Sequence, residues 1–155
     1  MEEAIFGAGC FWGVQSSFDK LEGVIRTEVG YSGGHTKDPT YKEVCTDRTG
    51  HAEVVRIVFD PSRISYMKLL DHFFGIHDPT TLNRQGPDSG TQYRSVIFFS
   101  SPQQEKEAMV ARERWDSSDA YKRPIVTEIS RRGEFYPAEE YHQKYFEKNG
   151  YVGCH

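Results

Sequence analysis

Apolar positions follow two patterns along this chain, one typical of strands and the other of helices. Short apolar runs that end at glycine, proline or aspartate predict strands. Apolar residues spaced three and four apart predict amphipathic helices. The predicted strands are residues 4–8, 24–31, 51–59, 95–99 and 125–129, and the predicted helices are residues 11–21, 41–44, 65–75, 102–115 and 137–148.

Two stretches of the chain show neither the strand pattern nor the helix pattern. Residues 77–92 hold several glycine, proline, aspartate and asparagine residues, and a loop of about 16 residues in a compact domain is usually functional or mobile. Residues 149–155 form a glycine-rich tail that we expect to be flexible. Strands and helices that intersperse, with one direct strand pair, predict an α+β sandwich whose helices flank a mixed or antiparallel sheet.

Length and composition narrow the class of protein. The chain has 155 residues, of which 37% are hydrophobic and 27% are charged, so we expect one globular domain over residues 1–155. The net charge of −4 offers no basic surface for nucleic acid or for an anionic membrane. No apolar run reaches the roughly 18 residues of a membrane span, and the N-terminus lacks a basic signal region, so we expect a cytoplasmic protein.

Cys10 is the candidate nucleophile because it falls where a predicted strand meets a predicted helix. Unpaired N–H groups and the helix dipole at that junction favour a thiolate. Gly7 and Gly9 would let the backbone approach a ligand closely, and Phe11 and Trp12 could wall an apolar pocket. The alternative is a buried cysteine that packs as a small hydrophobic residue.

The other two cysteines differ in their surroundings. We expect Cys45 to be a buried structural thiol without a catalytic role. A zinc site built from Cys45, His51, Cys154 and His155 would lack the paired spacing of such sites. We therefore expect no metal and no cofactor.

The segment Gly9-Cys10-Phe11-Trp12-Gly13 resembles the active-site signature of the A-type peptide methionine sulfoxide reductases. Five further segments match the same family in order, namely residues 30–34, 41–44, 50–53, 77–80 and 90–95. The resemblance spans nearly the whole chain. It implies an α+β sandwich of the ferredoxin-like kind, with a mixed, largely antiparallel sheet flanked by helices and a long coiled C-terminal tail.

Sulfoxide reduction needs an acid, because the sulfoxide oxygen is a poor leaving group until it is protonated. Glu53 is the candidate acid, since apolar neighbours would desolvate its carboxyl and raise its pKa; the alternative is an outward-facing strand carboxylate. The resemblance adds Tyr41 and Tyr93 as hydrogen-bond donors to the oxygen. It also implies that Asp88 binds the substrate or its water, although Asp88 could instead form a turn.

Attack by Cys10 with loss of water or hydroxide would leave methionine and oxidise Cys10 to a sulfenic acid. Cys154 matches the position of the family's resolving cysteine, in a tail whose glycines could let it swing onto Cys10 as a disulfide. The reductant that the resemblance implies is thioredoxin.

We therefore expect a monomeric thiol enzyme that reduces methionine S-sulfoxide, free or in proteins, and so repairs oxidised proteins. The S epimer is implied by the resemblance. Two alternatives stay open. One is a thiol peroxidase, because a low-pKa cysteine with a resolving partner also suits peroxide. The other is a noncatalytic peptide-binding module in which Phe11, Trp12 and the tyrosines form a methyl-binding pocket.

Overall fold

The structure, a computed structural model, describes residues 1–149. Its strands are β1 (Glu2–Ala8), β2 (Val24–Ser32), β3 (Ala52–Phe59), β4 (Arg84–Gln85), β5 (Asp88–Ser89), β6 (Ser95–Phe99), β7 (Glu128–Arg131) and β8 (Phe135–Pro137). Its helices are α1 (Phe11–Asp19), α2 (Tyr41–Val44), α3 (Tyr66–Gly75), α4 (Pro102–Asp116) and α5 (Tyr145–Asn149). Two 3-10 turns cover Thr91–Tyr93 and Glu140–His142.

The large sheet has the strand order β7-β6-β1-β3-β2-β8, and β4 and β5 form a separate small hairpin. Among the strand pairs of residues 1–149, only β6 with β7 is parallel. The central order β6-β1-β3-β2, with α1 between β1 and β2 and α3 between β3 and β6, is the ferredoxin-like arrangement. The predicted α+β sandwich with a mixed, largely antiparallel sheet is therefore confirmed.

The main core lies between this sheet and helices α1, α3 and α4. Phe6 of β1 is fully buried, and its ring lies 5.7 Å from that of Phe18 in α1 and 5.0 Å from that of Phe73 in α3. Burying a side chain of this size contributes roughly 1.5–3 kcal/mol. The opposite face of the sheet carries a smaller apolar cluster, formed by Ile5, Ala52, Val54, Val96, Phe98 and Phe135.

The helix starts follow from local chemistry. The Ser65 side chain accepts a hydrogen bond from the N–H of Lys68 and caps α3, and the Ser101 side chain caps α4 in the same way. Between β1 and α1, Gly9 has a φ of 96°, which lets the chain turn sharply from the sheet into the helix. The chain therefore turns at the residue that precedes Cys10.

The predicted last helix is wrong over most of its length. Residues 137–148 were expected to be helical, but they hold the end of β8, a 3-10 turn and the five-residue α5. The reason is tertiary, since β8 pairs with the edge of β2. The predicted strand 125–129 is likewise shifted to Glu128–Arg131, where it pairs with β6.

Residues 138–144, which we call the C-terminal segment, are bound to the edge of β2. The Gln143 amide accepts the Val29 N–H at 2.9 Å and donates to the Val29 carbonyl at 2.9 Å. The N–H of Lys144 donates to the Gln15 side chain of α1 at 2.7 Å. This side-chain pairing continues the sheet beyond β8. The predicted flexible tail, residues 149–155, lies outside the described residues except for Asn149.

No helix in the described part of the chain is both long and apolar enough to cross a membrane.

Replacing Gly30 with alanine should destabilise the β2–β8 edge. An added Cβ would clash with the Tyr136 carbonyl oxygen and would lie 2.6 Å from the Phe135 ring. Because backbone and a packed ring must move, we expect Gly30→Ala to lower the free energy of unfolding by about 1–3 kcal/mol, measured by urea denaturation. Gly133→Ala is the matched control, since its Cβ would meet no atom within 4 Å. Equal losses in both variants would contradict this account of the edge.

Candidate active site

Cys10 is the N-cap residue of α1 and is partly exposed. Its position at the start of a nine-residue helix is the one predicted from the sequence. The N–H groups of the first helical turn and the positive end of the helix dipole both favour a negative charge on the sulfur. A nucleophilic thiolate is therefore chemically reasonable at this position.

Glu53 lies at the start of β3, on the same face of the sheet as the buried Val55, and is only 2% exposed. Its Oε1 accepts the backbone N–H of Phe11 at 3.2 Å. Phe11 is the residue after Cys10, so the carboxyl is held against the start of the helix that carries the thiol. The second oxygen, Oε2, is buried and accepts no hydrogen bond from residues 1–149.

The pKa of Glu53 is raised well above 4.5. Burial is the main cause, because it penalises the charged form, and the negative charge of a Cys10 thiolate raises the pKa further. The hydrogen bond from Phe11 acts in the opposite direction, and Asp88 adds a smaller increase. The carboxyl therefore favours its protonated form beside the thiol and has a proton to donate.

Two tyrosines from other segments lie within electrostatic range of Glu53. Tyr41 is the first residue of α2, and Tyr93 ends a 3-10 turn. Burial raises the pKa of both hydroxyls, and ionisation of Glu53 would raise both further. Both hydroxyls therefore stay protonated and can donate hydrogen bonds.

Asp88 lies in β5, within the loop that showed no periodicity. Its charge raises the pKa of Glu53 and of Tyr93, and the charge of Cys10 also raises that of Tyr93. The structure thus brings Cys10, Glu53, Tyr93 and Asp88 into one electrostatic cluster from four separate segments.

Phe11 and Trp12 have different environments. Phe11 is only 1% exposed, and its ring lies 5.7 Å from that of Tyr31 and 6.4 Å from that of Tyr41. Trp12 is only partly buried, and its indole stacks on Tyr145 at 3.9 Å. Contact of either ring with substrate stays a prediction, and Trp12 is the more exposed of the two.

Sequence reasoning missed His142. The Trp12 indole N–H donates to His142 Nδ1 at 2.9 Å, so this nitrogen acts as the acceptor and the neutral ring carries its proton on Nε2. Burial lowers the pKa of His142, and Glu139 only partly opposes that effect, so the neutral form is favoured. No local pattern could have revealed this bond, because its partners are 130 residues apart.

Sequence reasoning also missed Glu139, which belongs to the same C-terminal segment. Its Oε1 accepts the hydroxyl proton of Tyr31 at 2.9 Å, and its Oε2 accepts the N–H of Tyr41 at 2.9 Å. The segment therefore contacts the backbone of one candidate donor and, through His142, the ring of Trp12.

The prediction that Cys45 is a buried structural thiol is wrong, because Cys45 is exposed. It caps the C-terminal end of α2, a single turn in which the preceding residue, Val44, takes the buried position. A turn this short can direct only part of its surface towards the core, and Cys45 lies on the outer part.

The hypothetical zinc site would use His51, which has other partners, and Cys154 and His155, which lie outside the described residues. His51 Nδ1 accepts the Gly34 N–H at 3.0 Å, and His51 Nε2 lies 2.8 Å from the Thr36 carbonyl oxygen. Within residues 1–149, no group of three or more His, Cys, Asp and Glu side chains is arranged to hold a metal ion. The predicted resolving residue, Cys154, lies outside the described part of the chain, as does His155.

Comparison with known proteins places this geometry in a family. A family model for "Peptide methionine sulfoxide reductase" matches residues 2–155. The peptide methionine sulfoxide reductase MsrA of Methanoculleus marisnigri is 58% identical over 154 residues, which cover 99% of this chain and 94% of that protein.

Solved structures of methionine sulfoxide reductases also resemble this fold. Methionine sulfoxide reductase A of Corynebacterium diphtheriae matches with a TM-score of 0.93 and 40% identity, over 99% of this chain and 77% of that one. Reduced Mxr1 from Saccharomyces cerevisiae matches with a TM-score of 0.91 and 39% identity, over 96% and 86% of the two chains. Mxr1 in complex with Trx2 matches with a TM-score of 0.66 and 27% identity, over 93% and 84%. With a family match over all but the first residue and a relative more than half identical, this chain belongs to the peptide methionine sulfoxide reductase family.

Proposed function

We propose that this protein reduces methionine S-sulfoxide, free or within proteins, to methionine, and thereby repairs oxidised proteins. The observation that carries the proposal is the buried Glu53 carboxyl bound to the N–H of Phe11, directly after Cys10. A nucleophile and a protonated acid meet there. Family membership supports the same reaction.

In the first step, the Cys10 thiolate attacks the sulfoxide sulfur while Glu53 gives its proton to the sulfoxide oxygen. The transient bond between the two sulfurs and the S–O bond to methionine both break, and in the net reaction the oxygen and the proton end on Cys10 as a sulfenic acid. Methionine sulfur gains two electrons and Cys10 sulfur loses two. The Glu53 carboxylate then recovers a proton from solvent.

Tyr41 and Tyr93 donate hydrogen bonds to the same oxygen as negative charge builds on it. Neutral donors held in a site with little water suit this task, because they need not reorganise during the reaction. Phe11 and Trp12 receive the methyl group of the substrate, and Asp88 binds the substrate or its water.

The second step consumes the thiol of Cys154, which attacks the Cys10 sulfenic acid, forms a Cys10–Cys154 disulfide and releases water. Thioredoxin then reduces this disulfide by exchange. The yeast relative Mxr1 has been crystallised in complex with Trx2, which supports a partner of this kind. The cycle needs neither cofactor nor metal. A single catalytic domain over residues 1–155, a monomeric state and a cytoplasmic location stay predictions.

Oxidation by substrate should identify the cysteine pair. Adding a methionine sulfoxide peptide without reductant should consume two thiols per chain and yield a Cys10–Cys154 disulfide, detected by peptide mapping. Cys10→Ser should lose sulfoxide turnover, because serine cannot form a sulfenic acid. Cys45→Ser is the matched control for the pairing and should keep the Cys10–Cys154 disulfide. A lasting loss of the Cys45 thiol in its place would overturn the pairing.

Replacing Glu53 with glutamine should remove the proton donor while keeping the acceptor for the Phe11 N–H. We expect the sulfoxide step to slow by about a hundredfold in single-turnover measurements, a typical contribution of general acid catalysis. Alkylation of Cys10 by iodoacetamide should change far less. Equal losses in both measurements would argue against Glu53 as the acid.

The same variant should change how stability depends on pH. The pKa of Glu53 is raised in the folded protein, so the folded state holds a proton that the unfolded chain releases above about pH 4.5. Wild-type stability should therefore fall, relative to Glu53→Gln, as pH rises from 4.5 towards the raised pKa. Urea unfolding midpoints across that range measure the difference, and parallel curves would show that Glu53 is not protonated in the folded state.

A further inference from the structure

One carboxylate joins the sheet to the short helix that carries Tyr41. Glu139 Oε1 accepts the Tyr31 hydroxyl at 2.9 Å, and Glu139 Oε2 accepts the Tyr41 N–H at 2.9 Å. Tyr31 is fully buried in β2, whereas Tyr41 opens α2. Glu139 thus reaches 98 residues back along the chain to bind the backbone of Tyr41.

Helix α2 needs such an anchor because it has only four residues. A single helical turn is not stable by itself, and the N–H of its first residue has no partner inside the helix. A capping box between Thr40 and Glu43 closes the turn, but both of its bonds lie within the turn. Val44 packs in the core from the other end of the turn. The Tyr41 carbonyl accepts the Cys45 N–H within the same turn. The hydrogen bond from the Tyr41 N–H to Glu139 instead joins the turn to a distant part of the chain.

The protonation states of Glu139 and Tyr31 favour the hydrogen bonds from Tyr31 and Tyr41 to Glu139. Burial would raise the pKa of Glu139, but hydrogen bonds from the Tyr41 N–H and the Tyr31 hydroxyl outweigh it and hold the pKa below 4.5. Burial raises the pKa of Tyr31, so its hydroxyl keeps the proton that it donates. Hydrogen bonds to an ionised carboxylate are shorter and stronger than those between neutral groups. The bridge therefore holds its geometry near neutral pH.

We propose that Glu139 is a positioning residue for sulfoxide reduction, which anchors the Tyr41 backbone to buried Tyr31 so that the Tyr41 hydroxyl meets the substrate oxygen. This inference rests on the proposed function, and in particular on Tyr41 as a donor to that oxygen. Glu139 acts through Tyr41. The contacts run from β2 through Tyr31 and Glu139 to Tyr41, and they fix the donor to a fully buried residue of the six-stranded sheet.

Glu139→Leu removes both acceptors while keeping a side chain of similar bulk. We expect kcat of the sulfoxide step to fall by about tenfold, the effect of losing the charge-assisted hydrogen bond that holds the Tyr41 N–H. KM should stay within about twofold, because a donor to developing charge acts on the transition state rather than on substrate binding. Single-turnover kinetics with a methyl sulfoxide peptide measure both quantities.

Glu139→Gln should restore most of the rate. Its amide oxygen can still accept the Tyr41 N–H, and its amide nitrogen can donate to the Tyr31 hydroxyl oxygen. A rate as low as that of Glu139→Leu would mean that the negative charge matters and not the placement of Tyr41, and would overturn the proposal.

A double-mutant cycle with Tyr41→Phe separates positioning from general damage. In the Tyr41→Phe background, which lacks the hydroxyl, Glu139→Leu should cost less than about twofold in kcat. An undiminished tenfold loss there would contradict action through Tyr41. If Tyr41→Phe by itself leaves the rate unchanged, the donor role in the proposed function fails; if it slows the reaction and Glu139→Leu does not, only the positioning role fails.

Glu140→Leu is the matched control, because Glu140 is the exposed neighbour of Glu139 in the same segment. It should leave kcat and KM unchanged. A measurement independent of activity is the NMR shift of the Tyr41 amide proton, which should move in Glu139→Leu and stay in place in Glu140→Leu. An unmoved Tyr41 amide in Glu139→Leu would show that the bridge is not formed in solution.

Discussion

The hydrogen bond between the Phe11 N–H and the Glu53 carboxyl is the interaction on which the site depends. The first turn of α1 has N–H groups without helical partners, and the start of β3 carries a carboxyl that the core withdraws from water. The Glu53 carboxyl gives the Phe11 N–H an acceptor, and the N–H gives the buried carboxyl a donor. The bond also joins the strand that holds the candidate acid, Glu53, to the helix that follows the candidate nucleophile, Cys10, so folding of the sheet brings the two groups together.

Burial of the Glu53 carboxyl costs free energy, and the same burial raises its pKa so that it can act as an acid. In a solvent-exposed position Glu53 would be ionised at neutral pH and could give no proton. Burial and the neighbouring Cys10 raise its pKa, because two negative charges in this site repel one another. The same cluster raises the pKa of the Tyr41 and Tyr93 hydroxyls, which keeps them as donors. One environment therefore maintains the protonated form of all three groups.

The C-terminal segment completes the site from the far end of the chain. Gln143 extends the edge of β2, Glu139 binds the Tyr41 backbone, and His142 accepts the Trp12 N–H. Each of these bonds joins the segment to a different element. A segment with little regular structure of its own thus holds the aromatic side of the site, and it directly precedes the helix that leads to the tail with Cys154.

The sequence by itself determined the elements that depend on neighbouring residues. A short apolar run predicted β6 at its observed bounds, and Ser65 predicted the start of α3. The junction of a strand with a helix identified Cys10. Motif resemblance then nominated Glu53, Tyr41, Tyr93 and Asp88, and the structure brings them together. Periodicity and capping depend on residues that are close together in the chain, so they can be recognised in a single sequence.

Only the tertiary structure decided the pKa of Glu53, the exposure of Cys45 and the replacement of the predicted last helix by β8 and a short segment. It also decided the hydrogen-bond partners of Glu139 and His142, which lie 98 and 130 residues away along the chain. Burial and pairing between distant residues depend on which surfaces meet after folding. No local pattern carries that information, because the edge of β2 outweighs the helical preference of residues 137–148 only once the sheet exists.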